Sequence, residues 1–214
     1  MATGGLYNRY VLPRLINFAM SRDDVAKLRA SHVPKAHGVV MEVGIGSGLN
    51  VPFYTSAVER LYGVDPSAEL LAMARQQTVK APFPAELLVR GAEHVPLADG
   101  SVDTVVMTWS LCSIADPLAA LAEIRRVLKP EGSFIFVEHG LAPDAGVQKW
   151  QNRLTPAWRR FAGGCHLNRP IAEMIRTAGF AIDNLRTGYM PGPKPMTFTY
   201  EGMAHAEDST RARS

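Results

Sequence analysis

Apolar positions open the chain at helical spacing. Leu6, Tyr10, Leu12, Leu15, Ile16 and Ala19 share one face, while Arg9, Arg14, Asn17 and Arg22 fall mostly off it. Ser21, with Asp24 three positions on, predicts a fresh helix start capped by Ser21. Pro34 and Gly38 end that second helix, so residues 1–37 read as a helical pair. From 38 to 140 the rhythm changes. Short apolar strands are predicted over 39–43, 60–64, 86–90, 102–109 and 133–138. Helices are predicted over 69–77 and 118–128, and Pro130-Glu131-Gly132 reads as the turn into the fifth strand. The 102–109 stretch is mostly apolar, the mark of a strand buried on both faces. Strands alternating with helices imply an α/β fold: a parallel sheet with right-handed crossovers, covered on both sides. Residues 141–170 break this rhythm and read as an insertion. A helix over 169–178 and strands over 181–186 and 196–201 then complete the sheet, leaving 207–214 as a polar, frayed tail.

Composition narrows the class. A chain of 214 residues fits one domain with modest extensions. Its 47% hydrophobic content suits a packed core and excludes a disordered chain. The 23 Lys+Arg against 20 Asp+Glu leave a net charge of only +3, so no nucleic-acid partner is expected. Cys112 and Cys165 lie far apart with no CxxC, which indicates neither a disulfide framework nor a standard zinc site, and no metal is expected from spacing. No apolar run approaches the roughly 20 residues of a transmembrane helix, and the N-terminus lacks the layout of a signal peptide. The expectation is a soluble, cytoplasmic protein, with peripheral membrane contact left open.

The sharpest local signal is Glu42-Val43-Gly44-Ile45-Gly46-Ser47-Gly48, which follows a predicted strand. Glycines there adopt positive φ without cost and let backbone approach a ligand closely. The spacing is not the dinucleotide GxGxxG, since the third glycine comes one position early. It also lacks the Lys-Ser/Thr of a phosphate-binding loop. Gly63-Val64-Asp65 places an acid at the end of the second strand, where a carboxylate accepts hydrogen bonds from both hydroxyls of an adenosine ribose. Loop and acid together point to a nucleoside ligand.

These residues resemble the class I S-adenosylmethionine-dependent methyltransferases. The resemblance covers residues 38–140: the glycine loop, Gly63-Val64-Asp65, the stretch from Ala92-Glu93-His94-Val95-Pro96 through Asp99-Gly100-Ser101-Val102-Asp103, and Leu128-Lys129-Pro130-x-Gly132. It implies a Rossmann-like, seven-stranded, mostly parallel sheet whose last strand runs antiparallel, and S-adenosylmethionine as cofactor. It also implies Gly44, Gly46 and Gly48 against the methionine part and ribose, Asp65 on the ribose hydroxyls, and Ala92 and Glu93 flanking adenine. Glu42, Pro66 and Thr108 join the expected cofactor site. Outside that core, Trp109-Ser110-Leu111-Cys112-Ser113, Val137-Glu138-His139-Gly140 and Gly163-Gly164-Cys165-His166-Leu167-Asn168-Arg169 resemble a branch of small phospholipid N-methyltransferases and microsomal thiol methyltransferases. A small or lipidic acceptor follows, first a phospholipid amine headgroup, with a small hydrophobic thiol or a quinone-type carbon as alternatives. A cofactor-binding sensor or partner subunit without turnover is the rival from another class.

Methyl transfer is an in-line displacement at an activated carbon, so alignment is the enzyme's main contribution. A base is needed only if the acceptor enters protonated. His139 is the first candidate base, because small shifts place a histidine pKa near 7; His166 is the second. Each has a plainer use, His139 closing a strand and His166 sitting in a loop. Cys112 and Cys165 are either simply buried or, if the fold brings them together, able to hold a soft metal or arsenical. Trp150, Trp158 and Phe161 among Lys149, Arg153, Arg159 and Arg160 suit a lid over an apolar, anionic-headed substrate, or a helix packed on the sheet. The N-terminal helices could cover the cofactor or lie at a membrane surface. The stiff Pro191-Gly192-Pro193-Lys194-Pro195 run is a connection that could line the acceptor pocket.

Overall fold

The structure, a computed structural model, describes residues 5–207. Seven strands form one sheet: β1 (Gly38–Val43), β2 (Val58–Asp65), β3 (Ala85–Val89), β4 (Val102–Thr108), β5 (Leu128–His139), β6 (Phe180–Tyr189) and β7 (Phe198–Ala206). Their order is β3-β2-β1-β4-β5-β7-β6. Strands β1 to β5 pair in parallel, and β7 runs antiparallel to both β5 and β6. The expected Rossmann-like, mostly parallel seven-stranded sheet is therefore present. Its chain order reverses between β1 and β4, which opens a crevice beyond the carboxyl ends of those strands.

Period-2 alternation splits the core between the two faces. Met41, Val105, Met107, Phe134 and Phe136 pack on one side with Leu121 and Ile124 of α4 (Pro117–Val127) and Ile175 of α6 (Ile171–Thr177). Val40, Val106 and Ile135 point to the other, against Leu61, Leu71 and Tyr54. Two caps follow sequence logic. Ser67 Oγ accepts from Leu70 N at the start of α3 (Ala68–Thr78), and Asp116 Oδ1 accepts from Ala119 N ahead of Pro117.

Other boundaries differ from expectation. The N-terminal helix begins as a π turn over Tyr7–Val11 and continues as α1 (Leu12–Met20), then α2 (Asp23–His32). Arg22, not Ser21, is the cap residue of α2; Ser21 Oγ instead donates back to Asn17 O at 2.6 Å and closes α1. Pro130-Glu131-Gly132 does not precede β5 but bulges within it, since Val102 pairs with Leu128 and Thr104 already pairs with Ser133. The insertion is one long helix, α5 (Ala145–Phe161). Met196 belongs to a short helix, α7 (Lys194–Thr197), rather than to the last strand. Of the expected tail, residues 208–214 lie outside the described residues, as does the side chain of Arg9. Among the described residues no helix is long and apolar enough to cross a membrane.

Candidate active site

The crevice at the β1/β4 switch point is a cleft of about 310 Å³. One wall is the loop after β1. Gly44 and Gly46 line it with φ of 69° and 56°, backbone that favours glycine. A Cβ on Gly46 would meet nothing nearer than 3.8 Å and would project into the cleft, whereas one on Gly44 would collide with Ser110 Oγ. Gly48 has a different task. Its φ is 81°, and a Cβ there would lie 3.0 Å from Ala74 Cα, so this glycine lets α3 pack on the loop and does not line the cleft.

Asp65 ends β2 with its carboxylate at the cleft. Oδ2 accepts from Gly46 N at 3.1 Å and Oδ1 from Ser67 N at 2.8 Å. Burial raises its pKa, and those two backbone donors oppose the rise. Pro66 and Thr108 also line the cleft. Below the loop lies a network of which the sequence pointed only to Glu42 and Thr108. Asn50 Nδ2 donates to Glu42 Oε1 at 2.9 Å and to Thr108 Oγ1 at 3.0 Å; Tyr54 donates to Glu42 Oε2 at 2.8 Å. Arg29 Nε reaches Asn50 Oδ1 at 3.0 Å, and its Nη1 donates to Met20 O at 2.7 Å, the last residue of α1. Burial pushes Glu42 up to about 7 despite those hydrogen bonds, and lowers Arg29 to about 10. The Arg29 guanidinium lies 5.1 Å over the Trp109 ring. Trp109 itself has φ of 51°, a strained backbone for a bulky residue, held by its N–H to Val137 O.

Several expected residues lie elsewhere. Ala92 is packed in the core and Glu93 Oε1 accepts weakly from Asp116 N at 3.4 Å; neither lines the cleft. The surrounding motif is held from outside by Glu123 and Arg126. Glu123 accepts from Val95 N at 2.8 Å, and Arg126 donates to Leu97 O and Val95 O and pairs with Asp99. His139 and His166 do not line the cleft either. His139 sits beneath it, with Nε2 at 2.9 Å from Cys165 Sγ, and His166 Nδ1 meets the Cys112 carbonyl at 3.1 Å. The expectation that one of them faces the acceptor as base does not fit these positions. Pro191 to Pro195 are also absent from the cleft wall, as are Trp150, Trp158 and Phe161. Helix α5 packs instead through Gln151, which accepts from Ala142 N and donates to Gly140 O and Pro195 O.

The remaining wall is apolar. Leu12, Pro13, Ile16 and Met20 of α1 face Ile114, Ala162 and Gly163 across the opening. Tyr7 donates to Phe161 O at 2.9 Å and ties the two sides at the rim.

This geometry agrees with what the chain is similar to. A family model described as "Methyltransferase domain" matches residues 41–136. A phosphatidylethanolamine N-methyltransferase of Cereibacter sphaeroides is 31% identical over 138 residues, 62% of this chain and 68% of that protein. The chain belongs to the S-adenosylmethionine-dependent methyltransferases. Thiol S-methyltransferase TMT1B of Rattus norvegicus is 34% identical over 146 residues, covering 66% of this chain and 59% of the relative; this chain thus spans less than two thirds of the length of such relatives. Among solved structures, a methyltransferase in complex with the Haloferax volcanii Trm112 activator has TM-score 0.66 at 20% identity, covering 94% and 96% of the two chains. The [4+2]-cyclase SpnF has TM-score 0.68 at 19% identity, covering 86% and 80%. At such identities the likeness is one of fold, and the cyclase shows that this fold hosts more than one chemistry. S-adenosylmethionine is the cofactor of the family, and the residues present fit it. The cleft offers an open cradle at Gly46, a buried strand-end carboxylate at Asp65 and a buried acid at Glu42.

Proposed function

We propose that this protein methylates the sulfur of a small apolar thiol, with Asp65 holding the cofactor's ribose and the loop from Gly44 to Ser47 cradling its methionine end. When bound, the cofactor supplies a methyl group already activated by positive sulfur. Asp65 keeps free lone pairs for two hydroxyls because Gly46 and Ser67 use only one on each oxygen. Trp109 and Ser110, at the end of β4, and the apolar wall of α1 exclude water and align the acceptor; positioning is the contribution this reaction needs.

The observation that carries the thiol reading is the character of the wall opposite the glycine loop. Leu12, Pro13, Ile16, Ile114 and Ala162 present apolar surface, and the two carboxylates of the cleft, Glu42 and Asp65, are engaged at the other end. An ammonium headgroup would need a carboxylate or aromatic cage there; an apolar thiol needs neither. The names of the relatives that are 34% identical agree with this reading.

Phosphatidylethanolamine N-methylation is the second reading, favoured by the rim. Leu6, Val11, Leu15 and Phe18 of the N-terminal helix are exposed, and so are Trp150 and Phe161 of α5 beside Arg153, Arg159 and Arg160. That apolar, basic rim suits peripheral contact with an anionic membrane under either reading. Transfer of labelled methyl is measured to alkyl thiols, phenols and phosphatidylethanolamine vesicles in parallel. Thiol labelling is the expected result; labelling of the lipid with none of the thiol overturns the first reading for the second, and no transfer to any acceptor favours a non-catalytic cofactor-binding role.

A further inference from the structure

Directly under the acceptor wall, three segments bring soft donor atoms together. Cys112 comes from the loop after β4, His139 from the last residue of β5, and Cys165 from the turn after α5. One ligand atom from each lies within 4.8 Å of the others. Both cysteines are free and buried. We propose that Cys112, His139 and Cys165 form a three-donor site for a thiophilic divalent cation, Zn²⁺, beside the acceptor end of the cleft.

Donor chemistry and surroundings both support this. Two sulfurs and an imidazole are the set that zinc prefers, with sulfur at about 2.3 Å and nitrogen at about 2.0 Å, so donors ordinarily stand about 3.5–4 Å apart. The present cluster needs only small side-chain movement to reach that. Trp158 Nε1 donates to Cys165 Sγ at 3.3 Å, a contact that supports a thiolate. Two buried polar atoms without a hydrogen-bond partner, His139 Nδ1 and Glu138 Oε2, adjoin the cluster. An apolar resting place for two thiols would not need them; with Nε2 on the metal, His139 Nδ1 carries the ring proton and becomes the outer-shell donor that such sites use.

Three protein donors leave a tetrahedral ion one open position, as in catalytic rather than structural zinc sites. The neighbouring group is Ser113, whose hydroxyl is 3.4 Å from Cys112 Sγ and whose residue lines the cleft. A thiol entering there from the Ser113 side of the cleft would be held as thiolate, its proton passing to water in the cleft as it coordinates. This supplies the deprotonation that no histidine of the cleft wall provides. That role rests on the thiol reading above; the metal site itself does not.

The test uses the reduced, metal-free full chain titrated with Co²⁺ under anaerobic conditions. One equivalent is expected to bind, with near-ultraviolet sulfur-to-cobalt charge-transfer absorption and visible bands of four-coordinate intensity, all displaced by one equivalent of Zn²⁺. Zinc binding should release the two thiol protons. Trp158→Phe should weaken affinity about 10-fold as an outer-shell change, and Cys112→Ala or Cys165→Ser by more than about 100-fold. Should those variants not fold, the wild type still decides: Zn²⁺ must slow alkylation of both Cys112 and Cys165, mapped by mass spectrometry. No stoichiometric cobalt band, or alkylation of both thiols unaffected by Zn²⁺, overturns the site. Zinc-loaded protein that methylates a thiol no faster than metal-free protein overturns the acceptor role.

Discussion

Replacing Glu42 by glutamine tests the electrostatics beneath the glycine loop. The carboxyl is fully buried, and burial raises it from 4.5 to about 7 against the help of Tyr54, Asn50 and Arg29. Because the folded-state value is the higher one, the native protein binds the extra proton. The stability this provides is complete below pH 4.5 and is lost as pH rises through about 7. A difference of that size corresponds to about 3 kcal/mol across the window, at about 1.4 kcal/mol per pH unit. The Glu42→Gln variant would keep the shape and remove the titration: the new carbonyl can accept from Asn50, and the Tyr54 hydroxyl can turn to accept from the new amide. Urea unfolding is followed by circular dichroism at pH 5 and pH 8 without ligand. With a slope near 3 kcal/mol per M, the wild-type midpoint should fall by about 1 M more than that of Glu42→Gln between the two pH values. Only the difference between the proteins counts, so other titrating groups cancel. Parallel profiles, agreeing within about 0.2 M, would refute the placement of a proton-holding carboxyl under the loop.

Three further outcomes follow from the same site. Asp65→Ala should weaken S-adenosylhomocysteine by at least about 100-fold in isothermal titration, the worth of two charged hydrogen bonds to the ribose hydroxyls, and unchanged affinity would take Asp65 off the ribose. Gly46→Ala and Gly48→Ala should separate: Gly46→Ala costs about 1 kcal/mol from its φ of 56° alone and weakens ligand binding, because it lines the cleft, whereas Gly48→Ala adds the Ala74 backbone at 3.0 Å to the strain of its φ of 81° and costs about 3 kcal/mol. Equal losses of stability would contradict those separate roles. Leu15→Glu with Phe18→Glu should abolish sedimentation with anionic vesicles while leaving S-adenosylhomocysteine affinity unchanged, since both side chains are exposed and neither lines the cleft; undiminished sedimentation would clear α1 of membrane contact.

What was legible in the sequence is what is local. The glycine loop and Asp65 announce themselves because positive φ and a strand-end acid are properties of a few consecutive residues. Gly48 shows the limit: its φ could be anticipated, but not that the glycine serves α3 rather than the ligand. Arg29 and Asn50 lie 21 positions apart on elements with no shared pattern, so their hydrogen bond had no signature. Cys112 and Cys165 were legible only as a pair able to hold a soft metal if the fold brought them together, and His139 beside them was not. Zinc spacing is a short-range code, and donors carried on three separate segments escape it. The motif that follows Ala92 and Glu93 is local and clear, whereas its fastening at Val95 by Glu123 and Arg126 of α4 is long-range and had no signature.

The donor and acceptor halves are joined through one buried cation. Helix α1 lays Leu12, Pro13, Ile16 and Met20 over the cleft, yet Pro13 is its one buried residue. What fixes its C-terminal end is Arg29, whose Nη1 takes the Met20 carbonyl while Nε holds Asn50, the partner of both Glu42 and Thr108. A cationic group near a helix C-terminus is favourable, and the same guanidinium lies over the ring of Trp109, whose backbone is strained. The acidic floor of the donor site thus helps to set the position of the apolar helix that closes the acceptor side. One side chain thus touches both the helix over the cleft and the network beneath it, so under the proposed function the protonation state of Glu42 would bear on acceptor access as well as on cofactor binding.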